Sequence, residues 1–296
     1  MTDGDTLHRR ARRLVYFGTP EMAVAPLESL VADGFDVVCV VTRIDKRRGR
    51  GGELAPSAVK AAATRLGIPV VHSVDEALTF HADLGVVVAF GQLIRPHALA
   101  VLPMVNLHFS LLPRWRGAAP VERALLAGDD ETGVCLMQLD EGLDTGPVHA
   151  AVRVPIGPDA TGEALRARLV EAGARLLIDQ LRAGPDEPVA QVGEPTYAAK
   201  IGPDDLRLDW GAPAAVRDRQ IRLGGAWTTF RGKRLKVCAA EPVDARATGD
   251  VLAHTVDGVG VVGGLRLITV QPEGKAPMSY RDFANGARLT AAERFE

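Results

Sequence analysis

The chain has 296 residues, 35 Lys+Arg against 37 Asp+Glu, and 47% hydrophobic residues, which is ordinary for a globular protein. That length is generous for one core and favours two domains. No apolar run approaches the roughly 20 residues that cross a bilayer, and the arginine-rich N-terminus lacks the apolar segment of a signal peptide. We therefore expect a cytoplasmic protein without a membrane partner.

The first half of the chain alternates short apolar runs with helical stretches. Strands are predicted at residues 14–17, 36–42, 69–71 and 83–90, and helices at 21–32 and 56–66. This alternation is typical of an α/β fold with a Rossmann-like, doubly wound sheet, in which ligands lie at the carboxyl ends of the strands. The turn Gly18-Thr19-Pro20 lacks the G-x-G-x-x-G spacing, so no dinucleotide site is predicted there.

A basic, glycine-rich stretch at residues 43–56 is longer than a connection from strand to helix usually is. Its cations are Arg43, Lys46, Arg47, Arg48 and Arg50. They form an island in an acidic part of the chain, since residues 1–206 carry 21 Lys+Arg against 27 Asp+Glu. Such a patch suits a polyanion held at chosen points, and a solvated charged loop is the alternative.

One predicted strand places an amide and an imidazole in the same space. If residues 105–109 form a strand, its two-residue period puts Asn106 and His108 on one face. Asp144 follows in a glycine-flanked segment, from which a carboxylate could orient or charge the imidazole. These three groups suit acyl or formyl transfer to an amine. Taken alone, the two strand residues could also be hydrogen-bonded core side chains.

The second half of the chain changes from helical to strand-like patterns. A helix at residues 161–181, with Thr161 as its N-cap, precedes a Gly- and Pro-rich linker at 191–205. After a helix at 212–222, strand-like runs follow at residues 227–230, 233–240, 249–254, 258–262 and 265–271. We therefore expect an N-terminal domain at 1–190 and a small OB-like β-barrel at 206–296. The latter is the more basic, with 14 Lys+Arg against 10 Asp+Glu from residue 207.

The three cysteines, Cys39, Cys135 and Cys238, each lie in an apolar run that resembles a strand. Their odd number excludes a complete disulfide framework, and none lies at metal-ligand spacing from another or from a histidine. We expect buried, inert thiols and no metal site.

Several segments together resemble a known family. They are Asn-x-His-x-Ser-Leu-Leu-Pro at residues 106–113, Arg-Gly-Ala-Ala-Pro at 116–120, Asp-Glu-Gly-Leu-Asp-Thr-Gly at 140–146, Tyr-Ala-Ala-Lys-Ile at 197–201 and Trp-Thr-Thr-Phe-Arg-Gly at 227–232. On these motifs the chain resembles the methionyl-tRNA formyltransferases, from about Leu14 onward. The resemblance implies formyl transfer from 10-formyltetrahydrofolate to the α-amino group of methionine on initiator tRNA, and an OB-like C-terminal domain.

The resemblance also implies roles for individual residues. Asn106 and a protonated His108 would donate hydrogen bonds to the oxyanion, while Asp144 would favour the charged imidazole and accept the proton of the amine. The implied folate pocket consists of Val87, Phe90, Gly91, Gln92, Ser110, Leu111, Leu112, Pro113 and Asp140, with Leu93 as a further apolar wall. Packing of Phe90 in the core is an equal alternative.

Two basic segments are the predicted tRNA contacts. The stretch 43–56 matches the family's tRNA-binding insertion, in which Arg50 fits the family pattern, but Gly52-Glu53 replaces the usual lysine pair. Lys233, Arg234 and Lys236 lie in a predicted barrel strand that puts two of them on one face, where they suit the tRNA backbone, with a solvated sheet face as the alternative. The segment 219–227 is shorter than is usual in the family.

A formyltransferase acting on an amino-sugar nucleotide is the main alternative function. The segment 116–120 and the basic C-terminal part argue against it. An RNA-binding module without catalysis is the other alternative, and the presence of Asn106, His108 and Asp144 argues against that one. We expect a monomer with no obligate protein partner.

Overall fold

A computed structural model describes residues 11–48, 52–243, 261–289 and 294–296 of the chain. The chain divides into two units. The first comprises Met1–Val121, Glu131–Pro155 and Arg166–Ala199, and the second comprises Glu122–Asp130, Ile156–Leu165 and Lys200–Glu296.

Strands and α-helices are interspersed up to residue 199. The strands are β1 (Arg13–Gly18), β2 (Asp36–Val41), β3 (Lys46–Arg48), β4 (Glu53–Ala55), β5 (Val70–Val71), β6 (Leu84–Val88), β7 (Met104–His108), β8 (Arg116–Gly117), β9 (Glu131–Gln138), β10 (Val148–Pro155) and β11 (Tyr197–Ala198). The α-helices are α1 (Val24–Ala32), α2 (Ala58–Arg65), α3 (Val74–Ala77), α4 (Pro96–Val101), α5 (Pro120–Ala127) and α6 (Gly162–Ala183).

The first unit contains a mixed seven-stranded sheet in the order β10-β9-β7-β6-β1-β2-β5. From β7 to β5 the neighbouring strands pair in parallel, while β9 and β10 are antiparallel additions at the other edge. The parallel strands are almost entirely buried, as their continuous apolar runs predict. The Rossmann-like prediction is thus confirmed, and β7 lies where the parallel part of the sheet meets the antiparallel part.

Side-chain caps begin two of the helices, one of them at the predicted N-cap Thr161. Ser57 accepts a hydrogen bond from the backbone N–H of Lys60 at 3.0 Å, and Thr161 accepts one from that of Ala164 at 3.1 Å. Among the described residues, no helix is both long and apolar enough to cross a membrane.

The basic stretch 43–56 contains more regular structure than its sequence indicates. Strands β3 and β4 pair in antiparallel register, with Lys46 opposite Ala55 and Arg47 opposite Leu54, and residues 49–51 between them lie outside the described residues. The long connection between β2 and α2 thus contains a short antiparallel hairpin that the sequence does not indicate. The sequence Lys-Arg-Arg shows no apolar alternation, which is why the strand pattern was missed.

The second unit contains β12 (Trp227–Phe230), β13 (Lys233–Pro242), β14 (Val261–Val262), β15 (Leu265–Pro272), β16 (Met278–Ser279), α7 (Ala214–Leu223) and α8 (Tyr280–Ala287). The strands form a small antiparallel sheet in the order β12-β13-β15-β14, with β16 paired to β15. Gly263 and Gly264, at φ 55° and 77°, form the hairpin turn between β14 and β15. Helix α8 was not predicted, although Ser279 caps it. The predicted strand at 249–254 lies outside the described residues.

The cysteine prediction is right at two positions and wrong at the third. Cys39 and Cys135 are buried, and burial raises the pKa of their thiols to about 12 and about 11. Cys238 is exposed, because Leu235 and Val237 point into the core and the alternation of β13 turns Cys238 outward. No group of three or more His, Cys, Asp or Glu that could hold a metal ion occurs among the residues that the structure describes.

Candidate active site

Strand β7 holds Asn106 and His108 inside the sheet. Asn106 lies opposite Val87 of β6, and His108 lies opposite Cys135 of β9. The two polar residues are only 9% and 5% exposed. Their common face follows from the two-residue period of the strand, as the sequence predicts. Buried polar groups at this depth require partners, which the loops at the strand ends supply.

Asp144 lies in the loop between β9 and β10 and reaches both strand residues. Its Oδ1 lies 3.7 Å from His108 Nδ1 and accepts a long hydrogen bond of 3.5 Å from Asn106 Nδ2. Its Oδ2 accepts the backbone N–H of Gly117 at 2.8 Å. The structure therefore brings together the amide, the imidazole and the carboxylate that the sequence singles out.

The His108 ring lies between two hydrogen-bond acceptors. Its Nε2 is 3.0 Å from the carbonyl oxygen of Trp115. Because a carbonyl oxygen only accepts, Nε2 carries a proton in this contact. Nδ1 faces the Asp144 carboxylate, and a ring protonated at both nitrogens satisfies both acceptors. The arrangement suits an imidazolium that can donate from Nδ1 to an oxygen between the three side chains.

Local contacts hold the loop that carries Asp144. The Asp140 carboxylate accepts hydrogen bonds from the backbone N–H of Gly142 at 3.1 Å and from Thr145 Oγ1 at 2.7 and 2.9 Å. At Gly146, a Cβ atom would lie 1.8 Å from the carbonyl oxygen of Gln138, so only glycine fits. In this structure the carboxylate of Asp140, a predicted folate contact, is used within the loop itself.

The other predicted folate residues divide into a buried group and an exposed group. Val87 and Phe90 are 6% and 5% exposed, and the ring of Phe90 meets Phe17 edge-on at a centroid distance of 5.5 Å. Phe90 therefore packs in the core, which was the alternative left open by its sequence. Gly91 and Gln92 lie on the surface, and Gly91 has a φ of 71°.

The segment after β7 runs from a buried serine to half-buried side chains. Ser110 is fully buried, and its hydroxyl donates to the carbonyl oxygen of Arg114 at 2.6 Å. Leu111, Leu112 and Pro113 are half-buried. Ser110 is used within this turn. The surface available to a ligand therefore comes from Leu111, Leu112 and Pro113.

Sequence reasoning missed a set of contacts from the predicted linker. Strand β11 pairs in parallel with β8, and the backbone N–H of Trp115 donates to Thr196 Oγ1 at 2.9 Å. Gln191, in the same stretch, binds the backbone of Asp144 and the side chain of Arg116. The Tyr-Ala-Ala-Lys-Ile motif carries part of the family resemblance, but its composition does not indicate that its first two residues pair with β8.

The predicted RNA-binding cations of the N-terminal half lie in and before the β3–β4 hairpin. Arg43 is half-buried, whereas Lys46 and Arg47 are exposed. Arg47 Nη1 donates to the carbonyl oxygen of Gly52 at 2.8 Å, which closes the hairpin. The side chain of Arg48 and the whole of Arg50 lie outside the described residues.

A partly buried ion pair anchors this hairpin to α2. Lys60 Nζ lies 2.9 Å from both carboxylate oxygens of Asp45. Both side chains are about one-third exposed or less, at 27% and 32%. The pair therefore ties Asp45, just before β3, to helix α2.

In the second unit, Lys233, Arg234 and Lys236 are exposed along β13. The guanidinium carbon of Arg234 lies 4.4 Å from the ring centroid of Trp227, and that of Arg207 lies 5.6 Å from it. Cation–π contacts of this kind hold an arginine in place while its remaining donors stay available. A solvated sheet face remains the alternative for this patch.

Comparisons with known proteins agree with this geometry. The family model described as "Formyl transferase" matches residues 12–181, and the model described as "Formyl transferase, C-terminal domain" matches residues 200–288. The chain is 43% identical to the methionyl-tRNA formyltransferase of Symbiobacterium thermophilum, covering 96% of this chain and 95% of that one. It is 44% identical to that of Thermobifida fusca, covering 96% and 99%.

Solved structures of lower identity share the fold. An N-formyltransferase from Helicobacter canadensis, in complex with folinic acid and dTDP-3-aminofucose, matches 88% of this chain and 99% of its own at a TM-score of 0.65 and 17% identity. HypX from Aquifex aeolicus in complex with tetrahydrofolic acid matches 93% of this chain and 47% of its own, at a TM-score of 0.63 and 14% identity.

Proposed function

The chain belongs to the methionyl-tRNA formyltransferase family, and we propose that it transfers the formyl group of 10-formyltetrahydrofolate to the α-amino group of methionine on initiator tRNA. The observation that carries the proposal is the 43% identity over 96% of the chain to a methionyl-tRNA formyltransferase. The product, formylmethionyl-tRNA, serves translation initiation.

Three buried side chains supply the chemistry. Attack of the amine on the formyl carbon forms a C–N bond and turns the formyl oxygen into an oxyanion. Asn106 Nδ2 and His108 Nδ1 both face the space beside Asp144 Oδ1 and are the donors for that oxygen. Preorganised donors of this kind contribute about 10²–10³-fold each to kcat.

Proton transfer falls to Asp144. The attacking nitrogen becomes cationic as its bond forms, and the carboxylate takes the proton that it releases, directly or through one water. The bond from the formyl carbon to the folate nitrogen then breaks, and that nitrogen regains a proton. The Gly117 N–H keeps the carboxylate in position through both steps, since it donates to Oδ2 at 2.8 Å.

Two exposed apolar side chains support a folate site in this part of the chain. Leu93 and Leu143 are 82% and 61% exposed, although both are large apolar side chains. Exposed apolar side chains of this size are what a flat aromatic ligand covers. We assign the pterin to the segment 87–92 and the loop 139–144, with binding mainly through backbone groups. The role of Phe90 in this segment is core packing against Phe17.

The tRNA contacts are assigned to the β3–β4 hairpin and to the C-terminal domain at residues 206–296. Exposed Lys46 on the first and Arg234 and Lys236 on the second supply cations for phosphates. Arg50 is assigned to acceptor-stem recognition. Comparing kcat/KM for initiator and elongator tRNA in Arg50→Ala tests it, because loss of a base contact changes the ratio whereas loss of a phosphate contact does not.

The single decisive experiment compares acceptors. Purified protein with 10-formyltetrahydrofolate is expected to formylate charged initiator tRNA and not an amino-sugar nucleotide. Formylation of the sugar amine at the higher kcat/KM would overturn the proposal. The similarity to a sugar N-formyltransferase is 17% and reflects the fold alone.

The active state is proposed to be a cytoplasmic monomer. Asn106, His108 and Asp144 all come from one chain, so the reaction needs no second copy. The compartment follows from the substrate, since charged initiator tRNA is used where translation starts. A molar mass of 31.5 kDa in solution is the expected result of light scattering.

A further inference from the structure

One amide side chain connects the two loops that meet at Asp144. Gln191 Nε2 donates to the backbone carbonyl oxygens of Asp144 at 2.9 Å and Gly146 at 2.8 Å. Its Oε1 accepts from Arg116 Nε at 3.1 Å and from Arg116 Nη2 at 2.7 Å. Both ends of the amide are therefore in use, one toward each loop.

The chemistry of these partners fixes the orientation of the amide. Guanidinium groups only donate and carbonyl oxygens only accept, so the oxygen of Gln191 must face Arg116 and its nitrogen must face the loop. Neither a carboxylate nor an apolar side chain of similar size can make both sets of contacts. This is a specific requirement for glutamine at a position predicted to be linker.

The loop needs such support because its backbone is strained. Asp144 has a φ of 52°, a region that non-glycine residues occupy rarely and at a cost of order 1–3 kcal/mol. Gln191 holds its carbonyl oxygen, while Gly117, which follows Arg116, holds its carboxylate. Gln191 thus holds the backbone of Asp144 directly. It also holds Arg116, the residue before the Gly117 N–H that binds the Asp144 carboxylate.

We propose that Gln191 is a positioning residue for formyl transfer, which keeps Asp144 in its left-handed backbone conformation and its carboxylate beside His108 and Asn106. It contacts no reacting group. Only the assay of this proposal rests on the proposed function, because the contacts of Gln191 would position Asp144 for any amine acceptor. A displacement of about 1 Å at a catalytic group is enough to lower turnover by about 10²-fold.

The test compares Gln191→Leu and Gln191→Glu with two control variants from the same segment. Leucine removes all four hydrogen bonds, and glutamate keeps Arg116 but places an oxygen against two carbonyl oxygens. Val192→Ala, at a side chain 85% exposed, and Glu194→Gln, at an exposed carboxylate, are the controls. Both Gln191 variants should lose roughly tenfold to 100-fold in kcat with KM within about threefold, and the controls should match the wild type.

Two further measurements separate positioning from loss of stability. In an Asp144→Asn background, Gln191→Leu should have almost no further effect on kcat, because it acts through that residue. The imidazole ¹⁵N signals of His108 should also shift in both Gln191 variants and not in the controls. If Gln191→Leu does not fold, the glutamate variant decides.

The outcomes that overturn the proposal are distinct from failure of the proposed function. A kcat within about threefold of wild type in the folded Gln191 variants overturns it, as does an equal loss with and without Asp144→Asn. If the wild type formylates a different amine, the same cycle is run with that acceptor. If no acceptor is found, unchanged His108 signals overturn the positioning role and shifted signals support it.

Discussion

Removing the charge of Asp144 while keeping its shape isolates the electrostatic part of catalysis. The variant Asp144→Asn retains an oxygen for the Gly117 N–H, but it loses the negative charge 3.7 Å from His108 Nδ1. At an effective dielectric constant near 20, two unit charges at that distance attract by about 4 kcal/mol. The side chains are only 6% and 14% exposed, so solvent screens little of this. That attraction sets an upper limit of about 10³-fold on the loss of rate.

Single-turnover formylation of charged initiator tRNA measures this effect, with tetrahydrofolate binding as the check on the folded site. We expect kcat to fall by about 10²–10³-fold and folate affinity to stay within about threefold. Glu187→Gln is the control, because it removes an exposed carboxylate outside the catalytic and folate-binding segments and should leave kcat within about twofold. A kcat for Asp144→Asn within about fivefold of the wild type would show that the carboxylate charge does not drive the reaction.

Three other expectations concern separate parts of the molecule. Thiol titration of the native protein should modify Cys238 and spare the two buried cysteines, whose thiol pKa values burial raises to about 11 and about 12; more than one fast-reacting thiol would contradict the burial pattern. Replacing Arg234 and Lys236 by Ala should raise KM for tRNA and lower the salt slope of binding by about 2, with kcat unchanged; an unaltered slope would mean that the solvated-face alternative is right. Hydrogen bonds from Arg123 lower the pKa of Asp205, so the stability that this pair contributes is present above about pH 3.9 and is lost as the pH falls through the lower folded-state pKa. Asp205→Asn should therefore lower Tm by about 1–3 °C at about pH 7 and leave it unchanged near pH 2, whereas a constant difference at both pH values would refute the ion-pair origin.

The convergence of the catalytic residues was predictable from the sequence because it depends on local rules. A two-residue period places Asn106 and His108 together once residues 105–109 form a strand. The glycines around Asp144 indicate a loop, and in the structure neither Gly142 nor Gly146 has room for a Cβ atom. At these positions the sequence motif therefore predicts the geometry that the structure shows.

Long-range contacts were not predictable in the same way. Gln191 meets Asp144 across 47 positions of sequence, and Trp115 meets Thr196 across 81. Neither contact has a periodic signal, and a Gly- and Pro-rich composition favours a linker whether or not the segment is held. Likewise, Cys238 lies in an apolar run, and only the register of β13 decides which face it takes.

Backbone strain at the site explains why propensity rules fail where function is concentrated. Of the six non-glycine residues with positive φ among the described ranges, three lie in the loops that follow neighbouring strands: Ala89 after β6, Trp115 after β7 and Asp144 after β9. Ala89 and Trp115 would not be chosen as turn positions from residue type alone, because alanine and tryptophan rarely adopt this conformation. Strain of this kind persists only where the surroundings determine the backbone. Here the buried sheet fixes one end of each loop, and contacts such as Trp115 with Thr196 and Asp144 with Gln191 fix the other. The strained carbonyl of Trp115 is also the acceptor that orients His108, so the strain and the catalytic geometry have the same cause.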